Sequence, residues 1–540
     1  MSDTPGTIFH SALRFFSGTM LSRLSGMLRD MAMAYAFGTQ NAIAALLVAF
    51  RFAHLLRRLF GEGAMQTALI PHLEALRKRG PQRAGLFFCD LALTLTYVLT
   101  FLIVLLMSIL GGFLLFDALN PGNAQIAWLT FLMMPSLLFI CLFGINASLL
   151  QCEKSYFSPS AAPVMFNMFW ILGIVFSSHY VPSKAMSFLA LFITLACCAQ
   201  WAITLPKTYA ILKAYGIKLA WTNFQSFSAD VLGLAKPLAL GIMGVAAAQV
   251  NNALDAIFAR WADEQGPALL WYAIRLQQLP LALFGIAISG AILPPLSRAI
   301  KEKNFVKFQL FLDFALRRTL SLMLPMTIAL FVFGDSCIDL IYGHGGFNHS
   351  SVVGTTQTLW GYVLGLIPMA FVLVLAPAFY ASGDYRTPSL ASVASMALNI
   401  ALNALMVGVL DLGAPSVAIA TSLSAWFNLA WLTIALNRGN LVSFGRNSLG
   451  LLVSGGKILA IAMVASLSVI LFDIYFWGSS TLITIFHGIM PTYPNEATIQ
   501  FFRLVLQGTI FSSMIILGAW FLKIRDLTHF GSPEPFQNVS

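Results

Sequence analysis

An all-α, polytopic membrane protein is the fold class this chain encodes, and three features of the sequence carry that expectation. Only 10% of its 540 residues are charged and 58% are hydrophobic, whereas soluble domains are about 25% charged. Apolar stretches of about 20 residues, the length a helix needs to cross a bilayer, recur about 14 times. Lys and Arg gather in every second connection between those stretches, the asymmetry that sets orientation in a membrane.

In chain order the stretches are 10–37, 41–70, 86–116, 125–150, 159–179, 185–205, 229–261, 266–296, 309–334, 354–382, 387–410, 414–437, 450–474 and 502–523. The connection after the second holds Arg77, Lys78, Arg79 and Arg83, and the one after the sixth holds Lys207, Lys213 and Lys218. Arg298, Lys301, Lys303 and Lys307 follow the eighth, and Arg438 and Arg446 follow the twelfth. The alternate connections are nearly free of positive charge, Lys184 being the main exception. This places both termini in the cytoplasm. The N-terminal stretch lacks the short apolar core and small-residue cleavage site of a signal peptide, so the first stretch is expected to remain as a span.

The net charge of +10 would suggest nucleic acid in a soluble protein. Here it sits in short loops facing anionic headgroups, so membrane lipids are expected as partners and nucleic acid is not. Cys89, Cys141, Cys152, Cys197, Cys198 and Cys337 lie mostly within apolar stretches and read as packing residues.

The chain repeats itself. Shifted by 224 residues, 44–80 meets 268–304 without a gap: Arg51 meets Arg275, Phe60 meets Phe284, Gly61 meets Gly285 and Pro71 meets Pro295. The same helix thus stands second and eighth. Six helices separate the copies, so they share an orientation. This gives two parallel-related six-helix bundles, residues 1–220 and 221–440, followed by two extra helices and a cytoplasmic tail over 441–540. Transporters built from repeats place substrate at the repeat interface.

Charges inside the spans bear on function, because a charged side chain near a bilayer centre costs about 3 kcal/mol on insertion scales. The stretch "FRFAHLLRRLFGEGAMQTALIP" (50–71) carries Arg51, His54, Arg57, Arg58 and Glu62. Arg51, Arg58 and Glu62 share a helical face, and Arg57 points about 120° away. Gly61 and Gly63 allow a bend there. In the first helix, "SRLSGMLRD" places Arg23 and Asp30 on one face with Arg29 aside. One reading is internal pairing or snorkelling to an interface. The other starts from Arg23, Arg29, Arg51 and Arg275, four cations with Asp30 and Glu62 as the only acids on their helices. Such cations suit a phosphate-bearing substrate, because the guanidinium fork donates parallel hydrogen bonds to phosphate. A lipid tail would stay in the bilayer.

No GxSxG, P-loop or HExxH pattern is found, and "GHGGFN" (343–348) reads as a flexible connection. An enzyme is not expected, and the energy would come from a gradient, the membrane potential or a partner.

Three stretches, "SRLSGMLRDMAMAYAFG" (22–38), "FRFAHLLRRLFGEGAMQTALIP" (50–71) and "VLAPAFYASGDYRTP" (374–388), resemble the MurJ/MviN family of lipid II flippases, in the multidrug/oligosaccharidyl-lipid/polysaccharide exporter superfamily. "YAIRLQQLPLALFGIAISGAILPPLS" (272–297) is similar to the family's eighth helix. The resemblance spans nearly the whole chain and implies a function. Such proteins move the lipid-linked peptidoglycan precursor from the inner to the outer leaflet of the bacterial cytoplasmic membrane by alternating access. It implies that Arg23, Arg29, Arg51, Arg57 and Arg275, with Glu62, bind substrate, and it admits cell-wall synthesis proteins as partners. Two positions depart from the family pattern, Ala44 and Ile274, where acids are frequent, so gating contacts are expected to differ. Some relatives hold Na+, and the counterparts here are Asp255, Asn399, Asn403, Val417 through its carbonyl, and Thr421. Oxygen ligation suits a hard cation. The alternative is that these asparagines bridge helices by hydrogen bonds; no other cofactor is expected. The rival functions are export of another polyprenyl-diphosphate oligosaccharide, cation-coupled drug export and a non-transporting scaffold role in cell-wall assembly.

Overall fold

The computed structural model describes residues 5–60, 64–217, 225–438, 444–477, 497–524 and 527. Among these every regular element is a helix, as the apolar periodicity requires: with no water in hydrocarbon, a helix satisfies its own backbone groups. The chain divides into two compact units, Met1–Arg260 and Trp261–Ser540.

The first unit contains α1 (Pro5–Phe37), α2 (Asn41–Phe60), α3 (Ala64–Arg79), α4 (Pro81–Leu115), α5 (Pro121–Met133), α6 (Ser136–Cys152), α7 (Phe157–Ser177), α8 (Pro182–Ala202) and α9 (Leu205–Ala214). It also holds nearly all of α10 (Ala229–Ala262). Proline opens α4, α5 and α8, at the first-turn position where its missing N–H costs nothing. α1 lies along α7, α7 along α8, and α2 against α5. Gly18 permits the first of these: a Cβ there would run into Ser160 and come within 3.1 Å of the Ala161 backbone nitrogen. Leu69, Leu73, Phe87, Leu91, Ile145 and Leu149 form a core where α3, α4 and α6 meet.

The basic connection after α3 also has a structural use. Arg77 donates from Nη1 to the carbonyl of Cys152, at the end of α6, at 2.6 Å, and to Glu153 Oε1 at 2.7 Å. The Tyr215 hydroxyl donates to the same carboxylate oxygen at 2.6 Å. Burial, followed by this hydrogen bond, pushes the Tyr215 phenol above its ordinary range.

The second unit comprises α11 (Gly266–Pro280), a π-turn (Leu281–Gly285), α12 (Ile286–Lys301), α13 (Phe305–Tyr342), α14 (His349–Val363) and α15 (Leu366–Ala381). It continues with α16 (Arg386–Asn403), a second π-turn (Ala404–Val409), α17 (Pro415–Arg438), α18 (Phe444–Trp477) and α19 (Ala497–Phe521). α13 is the central element, packing on α12, α14, α15, α18 and α19. In the repeat Leu281–Gly285 corresponds to residues 57–61. The expected bend at Gly61 and Gly63 falls on residues outside the described set.

Among the described residues each of the 14 apolar stretches is occupied by helix. Length and apolarity alone qualify eight helices as spans among the described residues, or up to ten when the bent pairs α5–α6 (43°) and α14–α15 (40°) each count as one. The full count of 14 is not reached on those criteria. The physical reason is visible in α1 and α2, where arginines interrupt the apolar run, and in α11 and α12, which are 15 and 16 residues long on either side of a π-turn.

Gly365 sits at the α14–α15 bend, and a Cβ there would lie 2.6 Å from Ser422 Oγ and 2.9 Å from its Cα on α17. Small residues at helix interfaces allow this close approach in membranes. Ser422 Oγ in turn donates to the carbonyl of Gly361 at 2.6 Å. Because backbone cannot yield cheaply, Gly365→Ala is expected to cost about 1–3 kcal/mol. Gly456→Ala on α18, where an added methyl would meet nothing within 4 Å, is expected to be neutral or stabilising. Thermal unfolding midpoints of the purified variants check both.

Candidate functional site

The intramembrane arginines show how this fold holds charge. Arg29 lies on α1, 7% exposed. Its Nη2 and Nε donate to Asp30 Oδ1 at 2.7 and 3.1 Å, and its Nη1 donates to Asn167 Oδ1 at 3.1 Å. The guanidinium carbon stands 4.6 Å from the centroid of the Trp170 ring. Asn167 is itself oriented from α1: its Nδ2 donates to Ser25 Oγ at 2.9 Å and to the Ser22 carbonyl at 3.2 Å. Trp170 is fully buried and meets Phe50 of α2 edge-on at 4.9 Å. Phe50 stacks on His54 at 5.4 Å. One indole therefore joins α1, α2 and α7 around a desolvated cation, an arrangement in which cation–π attraction reaches about 2 kcal/mol.

The other expected residues are placed as follows. Arg23 is exposed on α1 and has no ion-pair partner among the described residues. Arg51 is half-buried, and its Nη1 donates to the carbonyl of Asn252 on α10 at 3.0 Å. Arg57 is within α2, but its side chain lies outside the described residues, as does Glu62 altogether. Arg275, on α11 of the second unit, is half-buried with its guanidinium 4.4 Å from the centroid of Trp271. Within the first unit, then, α1 and α2 bring Arg29 and Arg51 to helices that share Trp170 and Phe50. Sequence reasoning missed Asn167 and Trp170. The available signal was an amide and an indole three residues apart on one face of an otherwise apolar helix.

In the second unit α16 and α17 bring four of the expected cation ligands together. Asn403 Nδ2 donates to Asn399 Oδ1 at 2.8 Å, Asn399 Nδ2 to Thr421 Oγ1 at 3.2 Å, and Thr421 Oγ1 to the Val417 carbonyl at 3.0 Å. Asn399, Asn403 and Val417 are fully buried. The set is all-oxygen on its acceptor side, which fits a hard cation in kind. The same hydrogen bonds also bridge two helices, as the alternative reading expects. Asp255 belongs to α10, where it is buried and accepts from Asn251 Nδ2 at 3.4 Å.

The indole is expected to carry the Arg29 site. Trp170→Ala should cost about 3–5 kcal/mol and Trp170→Phe clearly less, because the ring contact with Phe50 and part of the cation–π attraction persist. Chemical or thermal unfolding of the purified variants measures this; equal stability of Trp170→Ala and wild type would mean that Asp30 and Asn167 hold Arg29 without the ring.

Residues 33–518 match the family model described as lipid II flippase MurJ. The chain is 33% identical over 438 residues to the probable lipid II flippase MurJ of Chlamydia muridarum, covering 80% of this chain and 78% of that one. To the Chlamydia pneumoniae protein of the same description it is 27% identical over 537 residues, covering 98% and 96%. Among solved structures, a lipid II flippase MurJ in an inward closed conformation superposes with a TM-score of 0.72 at 21% identity over 95% of this chain and 99% of that one. An inward-facing multidrug resistance MATE family transporter of the MOP superfamily shares the fold at a TM-score of 0.61 and 15% identity, over 79% and 98%. The family model covers most of the chain, and the chain belongs to the lipid II flippase MurJ family.

Proposed function

We propose that this protein transports lipid II from the inner to the outer leaflet of the bacterial cytoplasmic membrane by alternating access, with both termini in the cytoplasm. The observation that carries the reading is the buried Arg29, held by Asp30, Asn167 and Trp170. An acid, an amide and an indole are committed to keeping one cation in hydrocarbon, where an unheld charge is costly. Arg23, on the same helix and exposed without an ion-pair partner among the described residues, supplies a guanidinium to an incoming anion. A diphosphate suits both, since arginine donates in pairs to phosphate oxygens.

In this reading Arg51, Arg57 and Arg275 add to the cationic surface that meets the headgroup, and Glu62 tunes it. The polyprenyl tail stays in lipid throughout. The protein performs no covalent chemistry. Nucleic acid is not a partner, and cell-wall synthesis proteins are the expected neighbours. Sodium is the candidate coupling ion, taken by the oxygens of Asn399, Asn403, Val417 and Thr421. A cation-coupled drug exporter would need acids where α1 and α2 carry arginines, so the anionic substrate is favoured. Another polyprenyl-diphosphate oligosaccharide shares the headgroup chemistry and is the second reading.

The test is expression in a bacterium depleted of its own flippase, with outer-leaflet lipid II measured by an externally added probe and membrane levels checked. Wild type is expected to restore outer-leaflet lipid II. Arg23→Ala and Arg275→Ala should lower the rate about tenfold or more, the worth of one charge-assisted hydrogen bond. Lipid II left inside by well-expressed wild type would contradict the substrate. Variants as active as wild type would contradict the role of the arginines.

A further inference from the structure

The second unit buries a group of charges that the proposed transport cycle does not use. On α18 and α19, Arg503 donates from Nη2 to Asp473 Oδ2 at 3.1 Å and from Nε to Oδ1 at 3.4 Å. Gln507 Nε2 donates to both oxygens of the same carboxylate, at 2.9 and 3.1 Å. Asp473, Arg503 and Gln507 are at most 4% exposed, so this pair is neutral, desolvated and well supplied with donors. α13 packs on both helices, and Phe333 meets Phe511 edge-on at 5.6 Å. Just beyond Phe333, α13 buries two further acids one turn apart, Asp335 and Asp339, each 3% exposed.

Asp339 has Asp335 and Arg503 as its charged neighbours, and Arg503 already serves Asp473. Among the described residues Arg503 is the cation that acts on Asp339, and His349, exposed, opens α14. α14 and α15 contain no Asp, Glu, Lys or Arg, and α12 holds Arg298 and Lys301 in its last turn. On α11, Arg275 lies over Trp271, and Tyr272 packs on Tyr342 at 4.9 Å. Lys457 of α18 is 16 residues before Asp473, roughly 24 Å along the helix. Past the end of α13, the His344 Nε2 is 3.1 Å from the carbonyl of Leu340.

Two further observations point to what this site takes. The Asp339 side chain makes no hydrogen bond or ion pair among the described residues, although it is almost wholly buried. Gln507, fully buried, has a carbonyl oxygen with no donor. Asp339 also lies in the last turn of α13, which ends at Tyr342, where the helix dipole disfavours negative charge. An ionised carboxyl buried in protein without donors is driven toward its neutral form. A metal ion is a poor answer: the Asp473 oxygens are occupied by N–H donors, and no three His, Cys, Asp or Glu converge among the described residues. We infer that Asp339, beside Asp335 and the Asp473–Arg503 pair, is a proton-binding site. Protonated, it gains an O–H donor in a region that has acceptors to spare. Releasing that proton leaves an uncompensated anion between α13 and the α18–α19 pair, so proton exchange there loosens or reseats that contact. The site stands whatever the identity of the transported lipid.

Infrared difference spectroscopy of the full-length protein in lipid bilayers, titrated in sodium-free buffer, tests it. Wild type is expected to keep a protonated-carboxyl C=O stretch at neutral pH. That band should vanish in Asp339→Asn, persist in Asp384→Asn, an acid in the connection after α15, and ignore added sodium. Asp339→Glu, which shifts the band instead of removing it, decides the matter should the Asn variant not fold. A wild-type spectrum without the band at neutral pH, a band unchanged in both Asp339 variants, or a band displaced by sodium would overturn the proposal.

Discussion

Charge placed in hydrocarbon must be held by something, and much of this structure is arranged around that constraint. Arg29 is held by Asp30, Asn167 and Trp170. Arg275 lies over Trp271. Arg503 pairs with Asp473 and stands 5.6 Å from the Trp477 ring. The same solution recurs on three helices: a guanidinium, an indole face and, in two cases, a carboxylate. Guanidinium suits it because it is weakly hydrated and stacks on aromatic faces while still donating in its plane. Removing one partner from such a pair leaves an uncompensated charge and costs several kcal/mol, so these residues also fix how their helices pack.

Around these anchors the helices break and approach closely where a continuous rod could not serve. The π-turn at Leu281–Gly285 interrupts the second copy of the repeat, a kind of distortion often found at functional sites. The bend at Gly365 seats α14 on α17, the helix that contributes Val417 and Thr421 to the candidate cation site. One helix break thus falls in the repeat, at Leu281–Gly285, and another directly follows Asn403 of the polar cluster, at Ala404–Val409; repeat-built transporters use broken helices of this kind for their sites.

The fold class was legible because hydropathy is a local property: each apolar stretch announces its helix without reference to any other. The repeat was legible because Arg51 and Arg275 share a register with Phe-Gly and Pro landmarks. The one-turn spacings of Asn399 with Asn403 and of Val417 with Thr421 also read directly, and the hydrogen bonds found between them follow from that spacing. The environment of Arg29 was not legible. Helix geometry grouped Asp30 with Arg23, yet Arg29 reaches its neighbour Asp30 because a long side chain can swing toward an adjacent residue when Trp170 of α7 supports it. That support is tertiary, set by an α1–α7 approach that Gly18 permits, and no local pattern encodes it. The number of spans is blurred for a related reason: the arginines within α1 and α2 lower their hydropathy.

The central claim is that the α1 cations meet an anionic headgroup. The most direct measurement is equilibrium binding of lipid II to the purified protein in nanodiscs, beside binding of the corresponding neutral polyprenol. The account predicts lipid II affinity about tenfold or more above that of the polyprenol, with the difference reduced by Arg23→Gln and by salt. Equal affinity for the two lipids in wild type would contradict it.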